Sequence, residues 1–203
     1  MTSQMIGAAA LAALLMTPAL SAQVGKSQGV VDANTAPEAD IAGFPNMTPA
    51  IAKALVAKRP FASPAELNAF LLSQGLTAEQ AMAFYAKAFV HINLNTATSE
   101  EILLVPGAGR RMTREFAEYR PWKTWAQFDR EIGKYVGPEA TAKLAQYAFI
   151  PMNGNTASDA DLMTVPGATQ AWADKVKKGR PYKTAADLEK VAGKAQARFF
   201  VVE

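Results

Sequence analysis

Residues 95–122 read NTATSEEILLVPGAGRRMTREFAEYRPW, from Asn95 to Trp122, and this stretch decides the fold because the chain repeats its pattern three times. Asn34-Thr35-Ala36, Asn95-Thr96-Ala97 and Asn155-Thr156-Ala157 open the copies. Each is followed in constant frame by an apolar residue and a proline, as Phe44-Pro45, Val105-Pro106 and Val165-Pro166. Next comes Arg59-Pro60-Phe61, Arg120-Pro121-Trp122 or Arg180-Pro181-Tyr182, and the frame then runs on without a gap to Leu67, Phe128 or Leu188. Landmarks that return in frame with a period of about 60 residues define an internal repeat, so the function belongs to the repeated module. The units are 30–90, which is degenerate, 91–150, and 151–203, which is shortened at its second hairpin.

The middle unit reads as helical throughout. Thr98-Ser99-Glu100-Glu101 has the form of a capping box, and Ser158 with Asp161 offers the same in the third unit. A short helix from about Ser99 to Leu104 should stop at Pro106-Gly107-Ala108-Gly109, where glycine permits positive φ and uncovers backbone amides. Met112, Phe116 and Tyr119 form the apolar stripe of a second helix, which ends before Pro121. Trp125, Phe128 and Ile132 mark a third helix; Val136-Gly137-Pro138 marks a turn; Ala140, Leu144 and Tyr147 line a last helix. The expected fold is all-α, with two helix–turn–helix hairpins per unit. The equivalent rings Phe61, Trp122 and Tyr182, together with Trp125, Phe128 and Tyr147, read as core at this spacing.

Half the residues are hydrophobic, which excludes a disordered chain. The absence of cysteine excludes a disulfide framework and a thiolate metal site, and the single histidine argues against a histidine-based metal site or triad. His91 reads as a linker residue between the first two units. The net charge of +3 is unevenly placed: the first unit has four basic and five acidic residues, so any anion site must be local.

Met5 to Leu15 is an uncharged Ala/Leu run, followed by Pro18 and Ala19-Leu20-Ser21-Ala22-Gln23. It reads as a signal peptide over 1–22 with cleavage after Ser21 or Ala22, then a polar linker over 23–29, although no Lys or Arg precedes the run. An uncleaved anchor is the alternative. Either way the repeats are expected in the periplasm or outside the cell.

The middle pattern, Ile92-Asn93-Leu94-Asn95-Thr96-Ala97, Val105-Pro106-Gly107-Ala108-Gly109 and Tyr119-Arg120-Pro121-Trp122, resembles the helix-hairpin-helix domain family of the competence DNA receptor ComEA. The resemblance covers the whole middle unit, the third through Val165-Pro166-Gly167 and Arg180-Pro181-Tyr182, and the first in frame only. It implies a non-enzymatic module that binds double-stranded DNA without sequence preference, and with the export reading it points to DNA uptake or to extracellular DNA.

The residues support that chemistry independently in the middle unit. Gly107, Ala108 and Gly109 feed a helix N-terminus, whose amides and dipole attract phosphate. Arg110, Arg111 and Arg114 follow on the first turns and could reach neighbouring phosphates. The third unit keeps Gly167 and places Lys175, Lys177, Lys178 and Arg180 on its second helix; of these, Lys175 and Lys178 are taken as its DNA contacts. The first has Asn46-Met47-Thr48 at the turn, and is expected to keep the fold and lose the site. The expected order of DNA affinity is middle, third, first.

The carboxylates read as caps (Glu101, Asp161) or as polar helix faces (Glu115, Glu118), with no pair suited to acid–base work. No catalysis, metal, cofactor or small-molecule substrate is expected. The alternative function is a non-catalytic structural or protein-interaction role, for example with another envelope protein.

Overall fold

The computed structural model describes residues 29–203, so the signal-peptide and linker readings for 1–28 lie outside the described residues. Asn-Thr-Ala recurs because the asparagine is a staple. The Asn95 Nδ2 donates to the Trp122 carbonyl at 3.0 Å, and the Trp122 amide donates back to Asn95 Oδ1 at 2.6 Å. Asn34 does the same to Phe61 at 3.0 and 2.8 Å, and Asn155 to Tyr182 at 3.1 and 2.7 Å. Only a side-chain amide, with one donor and one acceptor side by side, can close both bonds on one residue's backbone. Asn95→Ala leaves the Trp122 N–H and C=O without these partners and is expected to cost about 2–4 kcal/mol in urea unfolding, whereas an exposed control such as Glu100→Ala should cost far less.

The arginine of Arg-Pro-aromatic is also structural. Arg120 donates from Nε to the Leu94 carbonyl at 2.8 Å and from Nη2 to the Ala97 carbonyl at 2.6 Å. Arg180 repeats this to Gly154 at 2.8 Å and Ala157 at 2.7 Å. Arg59 in the degenerate unit does not: its Nε and Nη2 are buried without a hydrogen-bond partner among the described residues. All three Arg-Pro peptides are cis. The rings that follow are buried, and Trp122 Nε1 and the Tyr182 hydroxyl each find a helix carbonyl, at Phe116 (2.8 Å) and Val176 (2.6 Å).

On this frame the element order repeats. The first unit runs β1 (Val31–Asp32), α1 (Glu38–Ala42), α2 (Pro49–Lys58), α3 (Pro64–Ser73), α4 (Ala78–Tyr85) and β2 (Ala88–Phe89). The middle unit runs β3 (Ile92–Asn93), α5 (Ser99–Leu103), α6 (Arg110–Glu118), α7 (Trp125–Ala145) and β4 (Ala148–Phe149), with α7 broken at Gly137 (φ 77°) where a turn is expected. The third runs β5 (Met152–Asn153), α8 (Asp159–Leu162), α9 (Gln170–Lys178), α10 (Ala185–Ala192), α11 (Lys194–Ala197) and β6 (Phe200–Val201). Its shortening falls in the last two helices, and the closing strand is kept.

The protein is mostly helical, but all-α needs one correction. The first and last strands of each unit pair in parallel: β1 with β2, β3 with β4, β5 with β6. Two-residue strands are too short to show alternation, and their partners lie far apart in sequence. The capping boxes of Thr98 with Glu101 and Ser158 with Asp161 are formed.

The first two units share one interior. One buried cluster runs from Val30 to Ala148 through the first two units, with Phe89 and Tyr147 edge-to-face at 5.4 Å. The third unit's cluster begins with Phe149, which meets Phe199 at 4.6 Å. No described helix is long and apolar enough to cross a membrane.

Candidate nucleic-acid interface

Three turns occupy equivalent places, after α1, α5 and α8. Gly107 (φ 86°) and Gly167 (φ 75°) take the left-handed conformation, and so does Asn46 (φ 62°), which keeps the first turn in shape without glycine because asparagine tolerates this region. The position that differs is the next helix's N-cap. Thr48 Oγ1 accepts from the Ile51 amide at 3.2 Å, and Thr169 Oγ1 accepts from the Trp172 amide at 3.2 Å. In the middle unit this position is Gly109, and no side chain caps α6. The amide equivalent to those of Ile51 and Trp172, that of Met112, donates instead to the Gly109 carbonyl at 2.9 Å, so the Arg110 and Arg111 amides are the ones left to an anion. A Cβ at Gly107 or Gly109 would meet nothing within 4 Å, so the backbone here faces open space.

Arg110, Arg111 and Arg114 are exposed on the first turns of α6. Arg111 lies over the Tyr135 ring at 4.3 Å, which brings the start of α6 next to the Val136–Gly137 turn. Glu115, expected on a polar face, is instead 3% exposed. Its Oε1 stands 3.6 Å from Arg111 Nε and 3.4 Å from Arg114 Nη2. Two of the three arginines thus share one carboxylate. Ala108 is a second correction: its side chain is buried and its amide donates to the Val105 carbonyl at 2.9 Å, so it offers nothing to a phosphate.

The third unit is less open. Gly167 sits at a seam, where a Cβ would stand 3.2 Å from Thr35 of the first unit. Lys177 pairs with Asp159 at 2.6 Å and Asp174 at 3.2 Å, bonds that raise its pKa. Lys175 and Lys178 are exposed near the C-terminal end of α9, away from the turn, where cations favour the helix dipole. The structure does not bring these two lysines and Gly167 together as one site.

Comparison with known proteins returns no match. No protein-family model, curated protein or solved structure resembles the chain closely enough to count.

A group of charged residues missed by sequence reasoning lies where the units meet. His91, expected in a linker, is fully buried, and its Nδ1 lies 2.8 Å from Asp32 Oδ2. Asp32 Oδ1 accepts the Asn34 amide at 2.8 Å, as Asn93 and Asn153 accept the equivalent amides at 2.9 and 2.8 Å. The first unit has an aspartate where the other two have asparagine, and its second carboxylate oxygen faces His91. Burial alone would raise the Asp32 pKa, but the hydrogen bond and charge of His91, then the charge of Arg198, hold it below its ordinary value. Arg198, from the third unit, donates through Nη2 to the His91 carbonyl. Burial lowers its pKa, while the charges of Asp32 and Glu101 oppose that shift. Histidine was the available signal, since the chain has one, but nothing local marks it as buried.

Proposed function

We propose that the protein is an exported, non-catalytic binder of double-stranded DNA that contacts phosphates through the first hairpin of its middle unit. The resemblance of that unit to the helix-hairpin-helix family of ComEA supports this, as do the apolar run and small-residue site at the N-terminus. The observation that carries the reading is the uncapped start of α6 at Gly109, beside Arg110, Arg111 and Arg114, where the other two units put threonine. Backbone amides and arginines grip phosphate and leave base edges unread, so unrelated duplexes bind alike. The first unit serves as a packing partner, and the third contributes less than the middle one. Recognition of this kind suits DNA uptake or handling of extracellular DNA.

The test is a fluorescence-anisotropy titration of the full chain with two unrelated duplexes at several salt concentrations. With three to five phosphates engaged, log K should fall against log salt with a slope of roughly −3 to −4. Gly109→Thr installs the cap that Thr48 and Thr169 supply. It should leave stability equal or a few tenths of a kcal/mol higher, yet weaken DNA binding about tenfold. An unchanged affinity in this variant sinks the amide mechanism.

A second reading, a protein-interaction role, is favoured by one feature: Glu115 cancels part of the charge of Arg111 and Arg114. Absence of duplex binding at low salt, or binding that ignores salt, decides for it.

A further inference from the structure

We propose that Glu115 is a built-in brake on DNA binding: its buried carboxylate holds back Arg111 and Arg114, so the middle unit grips duplex DNA more loosely than its arginines alone would. This rests on the DNA reading and concerns the same helix, α6. Arg110, Arg111 and Arg114 open that helix, and all three are exposed. Glu115 follows directly, yet it is 3% exposed and shares the buried face of α6 with Met112 and Phe116. A carboxylate in that place is costly unless cations compensate it. Its ion partners among the described residues are two of the arginines that would meet phosphate. Oε1 accepts from Arg114 Nη2 at 3.4 Å and lies 3.6 Å from Arg111 Nε. Oε2 is buried without a hydrogen-bond partner among the described residues.

The packing keeps this carboxylate in place when DNA arrives. Arg111 lies over the Tyr135 ring at 4.3 Å, and the Tyr135 hydroxyl is hydrogen-bonded to that of Tyr119 at 2.8 Å. The same hydroxyl feels Glu115: its pKa is raised first by the bond to Tyr119, then by burial, then by the Glu115 carboxylate. Arg111 thus stands between a ring on α7 and a carboxylate on its own helix. A phosphate that reaches Arg111 or Arg114 comes within several ångströms of the Glu115 charge, and like charges at that range repel. An exposed carboxylate turns away from an incoming anion and is screened by salt, whereas a buried one is screened much less. Glu118, exposed on the same helix, supplies the comparison.

The experiment is the anisotropy titration of the full chain with two unrelated duplexes, run for wild type, Glu115→Gln, Glu115→Met and Glu118→Gln. Both Glu115 variants remove the charge at similar volume, a change that buried ion pairs generally tolerate. Each should bind both duplexes about tenfold more tightly at low salt. The log–log salt slope should steepen by about 1, because the released arginines neutralise phosphate more fully. Glu118→Gln should gain less than about threefold. A gain from Glu118→Gln as large as that from the Glu115 variants would mean that net charge alone is at work, and overturns the proposal. So does wild-type binding with no gain in any Glu115 variant that folds; a loss there would mean that the carboxylate orients the arginines for phosphate. These results leave the DNA reading standing. Absence of duplex binding by wild type and by both Glu115 variants removes the DNA reading and the brake together, whereas binding that emerges only in the Glu115 variants supports both. If neither variant folds, Arg114→Ala decides: with its charge already engaged by Glu115 it should cost less than about threefold, and a loss of about tenfold overturns the brake.

Discussion

Asp32→Ala is expected to destabilise the protein by about 3–5 kcal/mol, because it removes a buried carboxylate that is hydrogen-bonded to His91 and compensates the buried charge of Arg198. Asp32 is 2% exposed and holds three things at once: the Asn34 amide, the His91 ring and, by its charge, Arg198. The effect should exceed that of any exposed carboxylate, and urea unfolding at neutral pH measures it. The same carboxylate sets a pH dependence. Its folded pKa lies below its unfolded value, so its contribution is fully present above about pH 4 and is lost as pH falls through the folded value. Asp32→Asn should therefore lose less of its remaining stability than wild type between about pH 4 and pH 2. Equal acid sensitivity in the two proteins would show that other carboxylates dominate.

Replacing Arg110 and Arg111 together with alanine is expected to weaken duplex binding about a hundredfold at low salt, roughly tenfold for each charge-assisted contact removed. The log–log salt slope should flatten by about 2, and two unrelated duplexes should lose affinity equally, because phosphate contacts carry no sequence information. Both residues are exposed, so the fold should survive, although Arg111 also gives up its stacking on Tyr135 and its approach to Glu115. A sequence-dependent loss would mean that these arginines read bases. An unchanged slope would mean that they lie off the interface.

The lesson of these residues is one of range. The capping boxes at Thr98 and Ser158 and the buried stripe of Met112 and Phe116 were legible because they span one or two helical turns. The contrast in N-caps stood in frame as well, at Thr48, Gly109 and Thr169, but the reading of that turn weighed its glycines and not the threonines as caps. Glu115 and His91 were misread because burial of a polar residue depends on what packs over it: Tyr135, with the Arg111 guanidinium over its ring, sits beside the first, and Asp32 and Arg198 close on the second. The Ala108 amide was misjudged because a single turn hydrogen bond, to Val105, decides whether it is free.

By itself the sequence determined that the chain is three copies of one small, largely helical module, and that only the middle copy combines two turn glycines with adjacent arginines. Register, caps and apolar stripes are local, and local chemistry is written in order along the chain. Tertiary structure alone decided that the repeated asparagine and arginine are backbone staples, that short parallel strands close each unit, and that Gly167 faces Thr35. It also decided that Asp32, His91 and Arg198 meet. Each of these joins residues far apart in the sequence, and the free energy that selects such a meeting comes from burial and pairing that exist only once the chain has folded.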